Sequence, residues 1–325
     1  MARSFFRTIL WLLAFAVLVI AAYRVAADQR ERETADALLP PDGRFVETAH
    51  GRLHTLEAGP GDGPVVLLIH GSVGWSGLWA ETMQHLAGQG YRVLAIDLPP
   101  MGLSDRSNFT DYSRQAQGLR LLAFVEAEGI QPVVVAHSFG AGAAAEALLA
   151  DPGAFLGGVI IAGALSLGLD GTGREGPAVL RSEILREIVV AATVTNPHLT
   201  RALLGRFMHR SAAISKAHVA SLQYPFRRQG TTDTIARWLP TLLVPPRGAT
   251  SSDPEAYGAL DLPVALIWGR EDTVTPPNQA EALSVALGGA PIAWMDDVGH
   301  IPQIEAPDEF HRLLDEVLQD ITNEN

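Results

Sequence analysis

From residue 44 onward the apolar positions fall into short runs separated by polar, glycine-rich turns. Residues 44–48 and 52–57 alternate apolar with polar and flank His50-Gly51, which predicts an antiparallel hairpin. Residues 64–69 (Pro-Val-Val-Leu-Leu-Ile) form a continuous apolar run, as buried parallel strands do, and 91–96, 132–136 and 158–162 repeat it. Helices are expected between the strands, at 79–87, 112–128 and 141–149. The apolar side of 112–128 reads as Leu119, Leu122, Ala123 and Val125, with Asp111 near its N-cap. Strands alternating with helices imply a parallel sheet joined by right-handed crossovers.

The rhythm lapses over 165–260, which holds no strong strand run. Helical segments are predicted at 178–192, 197–209 (with Asn196-Pro197 as N-cap and first residue), 211–223 and 233–239. The stretch reads as a helical cap inserted between two sheet strands. The rhythm resumes with a strand at 262–268, a helix at 276–287 opened by Thr275-Pro276, a strand at 291–295 and a helix at 307–320. The expected core is therefore 44–164 together with 261–325, with 165–260 as the cap.

The N-terminal pattern differs. Residues 8–23 carry no charge and are nearly all apolar, between Arg7 and Arg24. The charge bias, +3 before the run and −1 after it through Asp36, predicts a cytoplasmic N-terminus with the bulk exported. Sixteen helical residues reach about 24 Å against a hydrocarbon core of about 30 Å, a gap that snorkelling arginines could close. Residues 1–27 are thus read as a transmembrane signal anchor. The alternative is a signal peptide cut after Ala27 that leaves a secreted or periplasmic protein. Residues 28–43, charged and ending in Pro-Pro, read as a stalk or linker.

Composition narrows the chemistry. The chain has 325 residues, enough for one large domain with an insertion, and a net charge of −12, which argues against nucleic-acid binding. Cysteine is absent, which removes disulfides, thiolate catalysis and cysteine-zinc sites. Metal-site motifs such as H-E-x-x-H are absent too, so no metal and no cofactor is expected. Between 171 and 250 eleven basic residues face four acids. A basic cap on an acidic body suggests contact with an anionic membrane or attraction of anionic substrates, and the plainer alternative is ordinary surface arginine.

The densest chemical signal is Ala136-His137-Ser138-Phe139-Gly140, where an apolar strand turns sharply through a serine into a small-residue helix. That layout lifts a nucleophilic hydroxyl clear of the sheet and places helix N–H groups where an oxyanion would develop. A serine hydroxyl needs a base, and the base needs an orienting acid. Asp272, in Trp268-Gly269-Arg270-Glu271-Asp272, and His300, in Gly299-His300, follow strands in the right order. His70 and His137 read as structural. The turn His70-Gly71-Ser72 offers the second oxyanion amide, so Ser72 and Phe139 form the expected pair.

These segments, with Asp97-Leu98-Pro99-Pro100-Met101-Gly102-Leu103-Ser104, resemble the α/β-hydrolase family of esterase and lipase type. Ala136 and Pro100 depart from its pattern where glycine is usual. Asp97 reads as a loop brace. The resemblance implies a mostly parallel sheet flanked by helices, and a helical cap before the strand that carries the catalytic acid. It also implies a serine hydrolase in which Ser138 attacks a carboxylic ester, His300 moves the proton and Asp272 holds the His300 tautomer. Ser138 at the elbow separates the chain from haloalkane dehalogenases and epoxide hydrolases of this fold, which use aspartate there. Trp75, Trp79, Phe207 and Trp238 are candidate lining residues for a hydrophobic small-molecule substrate. The same triad serves carbon–carbon bond hydrolases, thioesterases, perhydrolases and acyltransferases, and a non-catalytic ligand-binding relative is the reading from another class.

Overall fold

A computed structural model describes residues 2–106, 111–169, 171 and 176–323. Its sheet has eight strands in the order β1-β2-β4-β3-β5-β6-β7-β8. The hairpin β1 (Gly43–Thr48) and β2 (Gly51–Ala58) is antiparallel, and β2 lies antiparallel to β4 (Arg92–Ile96). The other strands, β3 (Val65–Ile69), β5 (Val133–His137), β6 (Gly157–Ile161), β7 (Val264–Gly269) and β8 (Ile292–Met295), are parallel to their neighbours. Continuous apolar runs form the central strands because helices cover both faces, leaving no side to solvate. Leu67, Leu68, Ile69, Val134, Val135 and Ala136 are fully buried. Each large aliphatic side chain so buried contributes about 1.5–3 kcal/mol.

Helices α1 (Ala2–Arg30), α2 (Ala80–Gly88), α3 (Arg114–Glu128) and α4 (Phe139–Ala150) precede the insertion. Helices α5 (Glu183–Ala192), α6 (Thr200–Gly205), α7 (Lys216–Gln223) and α8 (Thr231–Leu243) make up the stretch between β6 and β7, which has no sheet strand among the described residues. Helices α9 (Pro277–Ala286), α10 (Pro302–Glu305) and α11 (Pro307–Asn323) complete the chain.

Several local expectations are corrected. Leu119 is exposed, and α3 buries Leu121, Phe124 and Val125 together with the polar Arg114, Gln117 and Arg120. Its N-cap is Ser113, whose hydroxyl accepts from the Ala116 amide, and Asp111 lies near it as expected, accepting the Ser113 amide at 2.8 Å. Helix α6 begins at Thr200 with Leu199 at its cap, so Asn196-Pro197 opens a turn instead. Pro276, rather than Thr275, caps α9, and Thr275 is engaged elsewhere.

The stretch 28–43, expected as a stalk, is docked. Leu38 and Ala35 are buried, and Tyr224 donates its hydroxyl to the Leu38 carbonyl at 2.8 Å. The buried Glu31 carboxylate accepts from the Thr232 amide at 2.9 Å and from the Thr232 hydroxyl. Glu33 bridges to Arg228 as an isolated β-pair. The base of α1 also packs on α5, where Arg24 meets Glu187 at 3.2 Å. Among the described residues no helix is long and apolar enough to cross a membrane, so the spanning anchor expected over 1–27 gains no support here.

At least six of the eleven basic residues of 171–250 are engaged by other groups of the chain, some buried and some at the surface. Arg228 is buried and donates to the carbonyls of Gly102 and Ser104. Arg186 donates to the Ala236 carbonyl and Arg201 to that of Ile214. Arg210 pairs with Asp297, Arg227 with Glu33, and Arg237 with Glu183 and Asp233. Arg174 and Glu175, counted in the charge balance, lie outside the described residues.

Candidate active site

The carboxyl ends of β3, β5, β7 and β8 converge where the strand order reverses around β3, which is where open α/β sheets place their sites. Ser138 follows β5 with φ 52° and ψ −120°, a strained conformation for a residue with a Cβ. Its amide still closes the ladder to the Ile161 carbonyl at 2.9 Å, so sheet pairing holds the strain in place. Ala136 sits one step inside β5, fully buried and in register with Ile69 and Ile160. Its methyl is accommodated, because the left-handed residue of the turn is Ser138 and not Ala136.

Three side chains far apart in sequence meet. His300 Nε2 lies 2.7 Å from Ser138 Oγ, and His300 Nδ1 lies 2.8 Å from Asp272 Oδ2. With Nδ1–H donating to the carboxylate, Nε2 is free to accept the serine proton, and the partners fix this tautomer. All three residues are buried. Asp272 accepts amide hydrogens from Val274 and Thr275 on Oδ1, and the Thr275 hydroxyl on Oδ2 at 2.7 Å. Burial alone would raise its carboxyl pKa, but hydrogen bonds from His300 and Thr275 outweigh that and hold it below the ordinary carboxylate value. Asp272 is therefore ionised at neutral pH and suited to stabilise an imidazolium. The loop is pinned in turn, since Trp268 Nε1 donates to the Thr275 carbonyl at 2.8 Å.

The turn after β3 closes on the elbow. A Cβ built at Gly71 would stand 3.1 Å from the Ser138 Cβ and 2.7 Å from His137 Nδ1, so only glycine allows this approach. Ser72 and Phe139 line one small cavity of about 10 Å³ with Gly71, Gly140, Met101 and Trp238. Phe139 is the first residue of α4, so its amide has no acceptor within the helix. The helix N-terminus adds a favourable field for negative charge at the same point.

The aromatic candidates divide. Trp238 packs edge-on against Phe139, ring centroids 5.2 Å apart, and Phe207 lies 6.3 Å from the His300 ring. Both are at the site. Trp75 and Trp79 are not lining residues. Trp75 stacks on Tyr224 at 5.3 Å and donates Nε1 to the Ser221 hydroxyl, inside a cluster with Leu38 and Leu103. Trp79 is a core residue, edge-on to His137 at 6.4 Å. A larger cleft of about 740 Å³, between the start of α3 and the end of α8, includes none of Ser138, Asp272 and His300 among its lining residues.

Supporting groups surround the three residues, and of these His54 escaped the sequence reading. His137 Nε2 donates to the His300 carbonyl at 2.8 Å. His54 Nδ1 meets Asp97 Oδ2 at 2.8 Å, while the same carboxylate accepts the amides of Ser76 and Leu103 at 2.7 Å. Burial pushes Asp97 up, but His54, His70 and the Ser76 amide hold it at about 2, and its bond to the Leu103 amide braces the 97–104 loop as expected. His70 Nε2 accepts the Leu98 amide at 3.0 Å, and burial lowers its pKa. No local pattern marks His54, because its partner Asp97 lies 43 positions away. Glu183, Glu187 and Asp233 cluster on the cap, but Arg24 and Arg237 neutralise them.

The chain is similar to known proteins in sequence and in fold. The chain is 25% identical over 281 residues to a 2-hydroxy-6-oxononadienedioate/2-hydroxy-6-oxononatrienedioate hydrolase of Dechloromonas aromatica, covering 83% of this chain and 93% of that protein. A haloalkane dehalogenase of Mycobacterium marinum is 44% identical over 96 residues only, 24% of this chain and 32% of its own length. Among solved structures, a membrane phospholipase A superposes with a TM-score of 0.66 at 21% identity, over 99% of this chain and 100% of that one. Residues 66–313, which include the elbow, Asp272 and His300, match the alpha/beta hydrolase family, and the chain belongs to it.

Proposed function

We propose that this hydrolase cleaves carboxylic esters of hydrophobic substrates through an acyl-enzyme on Ser138. The observation that carries the reading is the unbroken hydrogen-bonded line Ser138–His300–Asp272, 2.7 and 2.8 Å long. His300 takes the serine proton as Oγ attacks the carbonyl, and returns it to the departing alcohol. Water activated by the same imidazole then releases the acid. The amides of Ser72 and Phe139 stabilise the tetrahedral oxyanion, a contribution of about 3–4 kcal/mol per donor in comparable sites. Phe139, Phe207 and Trp238 around the serine favour an apolar acyl or alkoxy group.

A fluorophosphonate probe tests the triad. Labelling at Ser138 that disappears in Ser138→Ala supports it, and a folded but unlabelled protein supports a binding relative instead. A panel of p-nitrophenyl esters, acylglycerols, acyl-CoA and a 2-hydroxy-6-oxo-dienoate then assigns the bond. The Dechloromonas relative's name makes carbon–carbon cleavage the second reading, and faster turnover of the dienoate than of any ester would favour it. The division into core (44–164 and 261–325) and cap (165–260) belongs to the same proposal. Its support is the absence of sheet strands between β6 and β7 among the described residues.

We infer, too, that the N-terminal helix holds the enzyme at a membrane outside the cytoplasm. Support comes from the uncharged stretch 8–23, the exposed Phe6, Trp11, Val17 and Leu18 of α1, and the similarity to a membrane phospholipase A. Release into the soluble fraction by salt alone would overturn this inference, and retention until detergent is added would support it.

A further inference from the structure

Glu305 ends the short helix α10 and is buried, yet among the described residues it has no cationic partner. Its carboxylate is occupied by three backbone amides. Oε2 accepts from Gly299 at 3.0 Å and from Arg210 at 2.8 Å, and Oε1 accepts from Ile301 at 3.1 Å. Two of these amides flank His300, and the third lies in the insertion between β6 and β7. The same insertion segment touches the histidine directly, because the His300 amide donates to the Phe207 carbonyl at 3.1 Å. Gly299 permits this closeness: a Cβ built there would stand 2.6 Å from the His209 amide nitrogen. At the rim, the exposed Asp297 receives both His209 and Arg210.

A loop that carries a base needs its main chain fixed to within a fraction of an ångström, since a misplacement of about 1 Å can cost a hundredfold in rate. Here the fixing points are not all in the sheet domain. We propose that Glu305 is a positioning residue that clamps segment 207–210 of the cap to the His300 loop, so that the seating of the cap sets the reach of the base toward Ser138. The proposal rests on Ser138 and His300 being nucleophile and base. A carboxylate suits the task because it accepts three N–H groups at once, whereas an amide side chain would turn a donor toward one of them. A substrate that fills the space beside Phe207 would thereby press on the loop that holds the base.

The test uses the full chain, the fluorophosphonate labelling rate at Ser138, and kcat and KM on one p-nitrophenyl ester. Glu305→Gln keeps the size of the side chain but breaks the clamp. Gly299→Ala retains the charge of Glu305 but sets a Cβ 2.6 Å from the His209 amide nitrogen and 3.0 Å from Glu305 Oε1, wedging both away from the loop. Leu318→Ala, in the core of α11, is the reference for stability loss alone. The expected result is a fall of about tenfold or more in labelling rate and kcat for both loop variants, with KM within about threefold, while Leu318→Ala keeps its kcat. Should Glu305→Gln fail to fold, Gly299→Ala decides alone. Folded loop variants that label as fast as wild type overturn the clamp and leave the triad standing. A wild type that no probe labels at Ser138 overturns the triad, and the clamp with it.

Discussion

The imidazole of His137 grips the main chain of His300: its Nε2 stands 2.8 Å from the His300 carbonyl oxygen. The residue before Ser138 thus supports the imidazole that Ser138 faces. This bond needs only a donor at Nε2, which the neutral ring supplies, and burial favours that neutral form.

Neutrality makes the fold acid-sensitive. Burial, and after it the nearby His300, lowers the His137 pKa to about 3. Unfolded, the ring titrates near 6.5. Between about pH 6.5 and 3 the unfolded chain therefore binds more protons, and stability falls as pH falls, by at most about 1.4 kcal/mol per pH unit from this group. His137→Gln removes the titration and can keep the donor. Urea unfolding at pH 4.5, 5.5 and 6.5 should give a flatter pH dependence for the variant than for wild type, and parallel lines would contradict this account.

Asp272→Asn probes charge rather than shape. The carboxylate is held ionised by His300 and Thr275, and an amide would fit the same space while favouring the wrong His300 tautomer. We expect kcat to drop by about 10³–10⁴-fold with KM little changed. Thr275→Val removes one donor to Oδ2 and should cost roughly 1 kcal/mol of transition-state stabilisation. Steady-state kinetics at pH 7.5 check both.

How far the sequence disclosed this depended on the range of the forces involved. Central strands such as 65–69 and 133–137 were legible because burial on both faces writes an unbroken apolar run. Ser138, Asp272 and His300 were legible because strand ends at known topological points bear them. The phase of α3 was misread at Leu119, since its buried face includes Arg114, Gln117 and Arg120, which are polar by composition; Arg114 reaches the Leu165 carbonyl and Gln117 the Pro99 carbonyl, while Arg120 bonds to Gln117 within the helix. Residues 28–43 looked like a linker because charge and proline were the only local signals. Glu31 finds its partner 201 positions away, and no window along the chain contains both. Glu305 was passed over for the same reason, its most distant partner being Arg210.

That docked segment has a measurable weight. Leu38 is fully buried beside Trp75 and Leu103, and Leu38→Ala should cost about 2–5 kcal/mol. Truncation to a start at Pro40 removes Leu38, Ala35 and the Glu31–Thr232 contacts together. Such a protein should melt well below one that begins at Arg24, with proteolytic nicks appearing first near α8. Equal melting temperatures would return these residues to the status of a linker.

The division among the tryptophans gives a contrast within one residue type. Trp238 meets Phe139 next to the serine and borders the cavity shared with Ser72, so its truncation enlarges the space in which the proposed mechanism seats the acyl group. Trp75 is held between His54 and Tyr224, away from that cavity, and its truncation leaves a void in a different cluster. Trp75→Ala should therefore lower stability by about 3–5 kcal/mol and leave the kcat/KM of the folded fraction within about twofold. Trp238→Ala should shift the ratio of kcat/KM between butyrate and decanoate esters by several-fold toward the longer chain, because each methylene placed in apolar surroundings is worth about 0.8 kcal/mol. Melting curves and an acyl-chain series on both variants separate the two outcomes. A chain-length shift in Trp75→Ala, or none in Trp238→Ala, would place the substrate elsewhere than beside Phe139.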